Sequence, residues 1–206
     1  MTDGIILVDF FTSELRDDIL NEVIRAGDDA GFETPELESI DASDQGKPGV
    51  TLSWPFKEVD VAIHYDNDWD ELERALTVTL FSGALQSSGL EHPDEFVDSV
   101  IDLVCSLAES NDPEYVAAHN AVSTDSDPVI PTTRPILDDI DRLPTLGIYS
   151  RDMVDVLGGR DRVLETPAWR VEELDNGQIL IITEEPPWYH GGGTANATRF
   201  LLSDDE

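Results

Sequence analysis

The sequence predicts an α+β fold, with a mixed or mainly antiparallel sheet containing two β-hairpins and packed against three to four helices. Three observations carry that expectation. Two alternating apolar and polar runs, 50–54 and 59–65, are joined by a short link. A second pair of strand-like runs flanks Asn176-Gly177. Helical and strand-like stretches come in mixed order, which disfavours a parallel doubly wound sheet.

Gly4 to Phe10 read as a first strand, largely apolar on both faces. Ser13 is expected to cap a helix in which Leu15, Ile19 and Val23 repeat, with Leu20 and Ile24 beside them, and Gly27 to stop it. Residues 33–48 are polar and acidic and read as a surface loop. In the first hairpin, Val50, Leu52 and Trp54 face one way. Val59, Val61, Ile63 and Tyr65 then alternate with Asp60, Ala62 and His64. Leu72, Leu76 and Leu80 predict a helix from about Trp69 to Leu85, with Asp68 as its N-cap. Another helix starts near His92-Pro93 and carries Phe96, Val100, Val104 and Leu107. Pro113 interrupts it, and Glu114 to Asn120 read as a further short helix.

Residues 121–137 are rich in Ser, Thr, Asp and Pro. They are the candidate for an internal boundary in a chain otherwise read as one α+β domain spanning 1–206. Leu146 to Tyr149 read as a strand and Arg151 to Leu157 as a short helix closed by Gly158-Gly159. Trp169 to Leu174 and Ile179 to Thr183 form the second hairpin, with Asn-Gly suited to a type I′ turn. Glu184 to Gly193 hold two prolines and three glycines and read as irregular.

Charge bears on setting more than on chemistry. The chain carries 45 Asp and Glu against 12 Lys and Arg, a formal net charge of -33 on 206 residues. With 40% hydrophobic residues it is too apolar for an acidic disordered chain. Residues 1–70 hold 18 acids and 4 bases, 71–140 hold 14 and 2, and 141–206 hold 13 and 6. The acid is therefore global rather than a tail. Only Lys47 and Lys57 are lysines. Even acid and scarce lysine predict a halophilic protein in a salt-rich cytoplasm, where self-repulsion is screened. A nucleic-acid mimic is the functional alternative; it would concentrate carboxylates on one face and need not lose lysine. Neither a signal peptide nor an apolar stretch of about 18 residues is found, so a cytoplasmic protein without a membrane span is expected.

No motif carries catalysis. Cys105 lies in the apolar run Val104-Cys105-Ser106-Leu107 and reads as a small core residue. His190-Gly191-Gly192-Gly193 looks like an oxyanion loop, but no G-x-S-x-G elbow accompanies it. Gly191-Gly192-Gly193-Thr194 lacks the lysine of a phosphate loop. Asp66, Asp68 and Asp70 alternate like calcium ligands, yet Glu71 stands at the sixth position and Thr77 at the twelfth. They remain a weak cation candidate, with Asp68 more simply a helix cap. His64, His92, His119 and His190 show no metal-ligand spacing and suit solvated or capping roles. No cofactor is expected.

Arginine is retained where other bases are shed. Six of ten fall after residue 140: Arg142, Arg151, Arg160, Arg162, Arg170 and Arg199. Pairing with Asp152, Asp155, Asp161 and Glu172 is the simplest use for them. The alternative is a partner-binding patch of Arg151, Arg160 and Arg162 with Trp188, Tyr189 and His190, since loop aromatics are either anchors to the core or interface hot spots.

The C-terminal half has a cadence. Leu146-Gly147-Ile148-Tyr149-Ser150 leads to a short helix ending Leu157-Gly158-Gly159-Arg160. Leu164-Glu165-Thr166-Pro167-Ala168, Val171-Glu172-Glu173-Leu174, Asn176-Gly177 and Glu185-Pro186 follow. Over about residues 110–187 this resembles immunity proteins paired with bacterial polymorphic and contact-delivered toxins. The resemblance implies an α+β cytoplasmic protein that protects its cell by binding a toxin, and no shared catalytic residues. The leading expectation is thus a non-catalytic protein binder. The other readings are a small-ligand binder or enzyme built from scattered residues near His64, Tyr65 and Asp66, and the acidic mimic.

Overall fold

The computed structural model describes residues 5–12, 18–36, 49–54, 57–63, 74–81, 93–120, 131, 135–186 and 195–203. The strands are β1 (Ile5–Phe11), β2 (Gly49–Trp54), β3 (Lys57–Ile63), β4 (Arg74–Phe81), β5 (Tyr115–Asn120), β6 (Leu146–Tyr149), β7 (Arg170–Glu173) and β8 (Ile179–Ile182). They form one sheet in the order β2-β3-β4-β1-β5-β6-β8-β7. Every neighbouring pair is antiparallel. The described helices are α1 (Ile19–Asp29), α2 (Pro93–Asn111), α3 (Ile136–Asp139), α4 (Arg151–Val156), α5 (Arg160–Leu164) and α6 (Ala195–Leu202). The expected α+β class, with its two hairpins β2–β3 and β7–β8, is what the chain forms.

Alternation along each strand separates two cores. Val8 and Phe10 of β1, Leu76, Val78 and Leu80 of β4, Val116 of β5 and Ile148 of β6 pack with α1 and α2. Phe32, Trp54 and Phe96 meet edge to face there, with ring centroids 5.5–6.3 Å apart. Tyr115 and Ala117 of β5, Tyr149 of β6 and Ile179 and Ile181 of β8 point the other way and pack with α3 to α6. On this second face β1 adds Phe11, stacked on Tyr115, while Asp9 of β1 and Thr77 of β4 are polar groups buried there.

Four local expectations change. The helix from Trp69 to Leu85 is strand β4 over its described part. Leu76, Val78 and Leu80 face the helices while Thr77 and Thr79 face away, a period of two. Glu114 to Asn120 is strand β5, held between β1 and β6. Gly27 does not stop α1 but lies buried within it. The stop is Gly31 at φ 85°, where Phe32 N–H donates to Gly27 O and Gly31 N–H to Asp28 O. That pattern closes a helix on a left-handed residue, a role glycine fills without a Cβ penalty. Finally, the second hairpin turn is not type I′. Leu174 N–H donates to Gln178 O, Gly177 N–H to Leu174 O, and Gly177 alone in the turn has positive φ, at 81°. The loop is Asp175-Asn176-Gly177, a three-residue turn with a glycine bulge.

Candidate functional site

The turn of the second hairpin docks onto the C-terminal end of α2. Asp175 N–H donates to Glu109 Oε1 at 2.8 Å, and Asn176 Nδ2 donates to Ala108 O at 3.4 Å. Gln178 Nε2, fully buried, donates to Pro113 O at 2.6 Å. α2 itself ends on Asp112, whose φ of 48° and bond from N–H to Ala108 O turn the chain into Pro113. Aspartate tolerates that left-handed position better than most residues.

A cleft of about 520 Å³ opens beside this junction. Its walls are Glu109 and Asp112 of the α2 end, Glu114 before β5, Ser150, Arg151 and Asp152 at the start of α4, and Asn176 of the turn. Ser150 caps α4 by accepting from Met153 N–H at 3.4 Å. The lining therefore sets four carboxylates around one guanidinium. Arg151 is fixed there, donating from Nη2 to the Asn176 carbonyl. Its guanidinium lies where a Cβ on Gly177 would stand, 2.5 Å from Nε. The turn glycine thus serves two ends: it supplies the positive φ and leaves room for Arg151.

The other arginines of the expected patch are occupied. Arg160 grips Glu173, with Nε at 3.0 and 2.9 Å from its two oxygens and Nη2 at 2.5 Å. That hydrogen bonding holds the Glu173 carboxyl below its ordinary range, and the charges of Arg160 and Arg151 add to it. Arg162 donates to Phe200 O at 2.9 Å and lies 5.8 Å over the Phe200 ring, tying α5 to α6. Arg170 pairs with Glu172 at 2.5 Å. Pairing with local acids thus accounts for Arg160 and Arg170. Of Arg151, Arg160 and Arg162, only Arg151 lines the cleft. Trp188, Tyr189 and His190 lie outside the described residues, as do His64, Tyr65, Asp66, Asp68 and Asp70. Among the described residues no group of three His, Cys, Asp or Glu is placed to hold a metal.

Cys105 is partly buried in the α2 core, as expected. Burial pushes its thiol up to about 12, against a smaller opposing pull from Arg170. A thiol held protonated at neutral pH is no nucleophile.

One constellation was not foreseen. Asp9, fully buried in the middle of β1, accepts from Thr77 Oγ1 at 2.6 Å and meets His119 Nε2 at 2.8 Å. His119 is therefore neither solvated nor a cap. A strand carrying aspartate between Val8 and Phe10 was the available signal. Hydroxyl and imidazole both address the carboxylate rather than each other, so Thr77 is not activated by His119 in the manner of a nucleophile and its base. The trio satisfies the hydrogen-bonding needs of a buried carboxyl group.

No protein-family model matches the chain. No curated protein matches it either. The fold, however, has a counterpart among solved structures. It is similar to the Pseudomonas aeruginosa T6SS protein PA0821, with a TM-score of 0.51 at 11% identity, over 97% of this chain and 72% of that one. At that identity the likeness is one of fold. No described helix is long and apolar enough to cross a membrane.

Proposed function

We propose that this chain is a non-catalytic, immunity-like protein that neutralises a toxin by binding it. The observation that supports the reading is the fold likeness to a T6SS protein over 97% of the chain. It agrees with the immunity-like cadence of residues 110–187, and the cleft lies within that half of the fold apart from Glu109. The partner-facing surface is taken to be the Arg151 cleft, with Trp188, Tyr189 and His190 beyond it in the sequence. Four carboxylates at its rim favour a basic segment of the partner, with Arg151 setting orientation. The cellular setting is read as a salt-rich cytoplasm.

The test is direct binding to the products of neighbouring genes, by calorimetry in high salt, together with deletion in the source strain. A tight complex weakened by Arg151→Ala supports the reading. No complex, and a deletion strain that grows normally beside its toxin gene, would remove it.

A further inference from the structure

We infer that the β7 edge of the sheet is a self-association surface on which a second copy of this chain pairs antiparallel, β7 to β7. The two ends of the sheet are treated differently. At the β2 edge, Glu33 and Ser53 exchange backbone hydrogen bonds of 2.7 and 2.9 Å, so a neighbouring segment blunts the strand. At the β7 edge the ladder runs only to β8 among the described residues. Leu174 N–H donates to Gln178 O, and antiparallel bonding alternates, so Glu172 and Arg170 turn their backbone groups inward. Val171 and Glu173 turn theirs outward, and no described residue meets them there. Trp169, just before the strand, is 44% exposed.

Charged residues on an edge ordinarily discourage pairing. Here their order does the reverse for one partner. Facing strands in an antiparallel pair put opposed side chains on the same face. With Val171 opposite Val171 of the second copy, Arg170 opposes that copy's Glu172, and Glu172 opposes its Arg170. The same register pairs the outward backbone groups of the two Val171 residues. It also pairs those of Glu173 with those near Trp169 of the second copy. Arg170 and Glu172 already pair within the strand; in this register each also meets its opposite charge on the second copy, and two-fold symmetry makes the match twice.

The edge is short, so the dimer is weak, and two strongly acidic chains repel at low salt. The experiment is therefore sedimentation velocity over a wide range of protein concentration at potassium chloride from about 0.1 M, where the Debye length is about 10 Å, to about 1 M, where it is about 3 Å, since salt relieves the net repulsion but also weakens the exposed cross-strand pairs. A concentration-dependent dimer is expected. Arg170→Glu and Glu172→Arg should each weaken it about tenfold, because each puts like charges opposite one another twice. The double variant should recover it. Val171→Pro removes an outward N–H that the intrachain ladder does not use, so it should fold and remain monomeric. Circular dichroism confirms the fold of each variant. If the proline variant does not fold, the charge swap decides. A chain monomeric at every concentration, or a dimer indifferent to the swap, overturns the inference.

Discussion

His119 Nε2 lies 2.8 Å from Asp9 Oδ2 in the interior of the sheet, joining β5 to β1 by side chain as well as by backbone. A fully buried carboxylate depends on such partners, because water cannot replace them. His119→Ala should lower the unfolding free energy by about 1–3 kcal/mol, the cost of leaving a buried polar group without its partner. Urea unfolding should show a lower midpoint with an unchanged slope. A loss within about 0.5 kcal/mol, as for an ordinary surface change, would contradict a structural role for the pair.

Gly177→Ala tests the junction of turn and cleft. It places a side chain at φ 81° and a Cβ 2.5 Å from Arg151 Nε. Strain of this kind costs about 1–3 kcal/mol, and Arg151 must leave its place on the turn. Arg151→Ala removes the same guanidinium without the strain. Both variants should lose affinity for a partner bound at the cleft, whereas only Gly177→Ala should lose several degrees in thermal midpoint. Equal loss of stability in the two would refute the separation of roles.

Cys105 predicts a pH dependence. Burial pushes its thiol up from the ordinary value near 9 to about 12 in the folded chain. Between those values the folded state holds a proton that the unfolded state has released. Stability is thus fully present below about pH 9 and falls as pH rises toward 12, by up to roughly 1.4 kcal/mol per unit. Cys105→Ala should flatten that slope in urea titrations compared with the unmodified chain. Parallel curves for the two would show that the thiol is not the source. Alkylation at pH 8 should likewise be slow until the protein is unfolded.

Much of the architecture was legible because it rests on local signals. β2 and β3, β7 and β8, α2 and the short α4 all follow from alternation, apolar spacing and a turn glycine. The failures have a common cause. Leu76 and Leu80 are four apart, and a spacing of four fits one face of a helix and one face of a strand alike. The deciding residues were Thr77, Val78 and Thr79, β-branched and alternating, which suit a strand. Ala117 and Ala118 gave β5 a helical look, but the neighbours β1 and β6 fix its conformation, and those are distant in sequence. The cleft was half visible: Arg151 stood out as a retained base. Glu109 and Asn176 could not be placed beside it without knowing that the turn docks on α2.

The even charge gives the last prediction. Exposed carboxylates lie on both layers and at the β7 edge: Asp28 and Asp29 on α1, Asp94, Glu95 and Asp98 on α2, Asp152 and Asp155 on α4, Glu172 and Glu173 on β7. Asp29, Glu172 and Glu173 have arginine partners, but no described cation pairs with Asp94, Asp98, Asp152 or Asp155. Their mutual repulsion opposes the folded state and decays over a Debye length, which falls from about 10 Å at 0.1 M salt to about 3 Å at 1 M. Unfolding followed by circular dichroism should therefore show the thermal midpoint rising with potassium chloride from roughly 0.1 M upward, most steeply below about 1 M, where screening changes fastest. Replacing Asp94, Asp98, Asp152 and Asp155 with the neutral amides should raise the low-salt midpoint and shrink the response. A midpoint independent of salt in both chains would mean that the charge of -33 is already balanced within the fold, and that it carries no adaptation to salt.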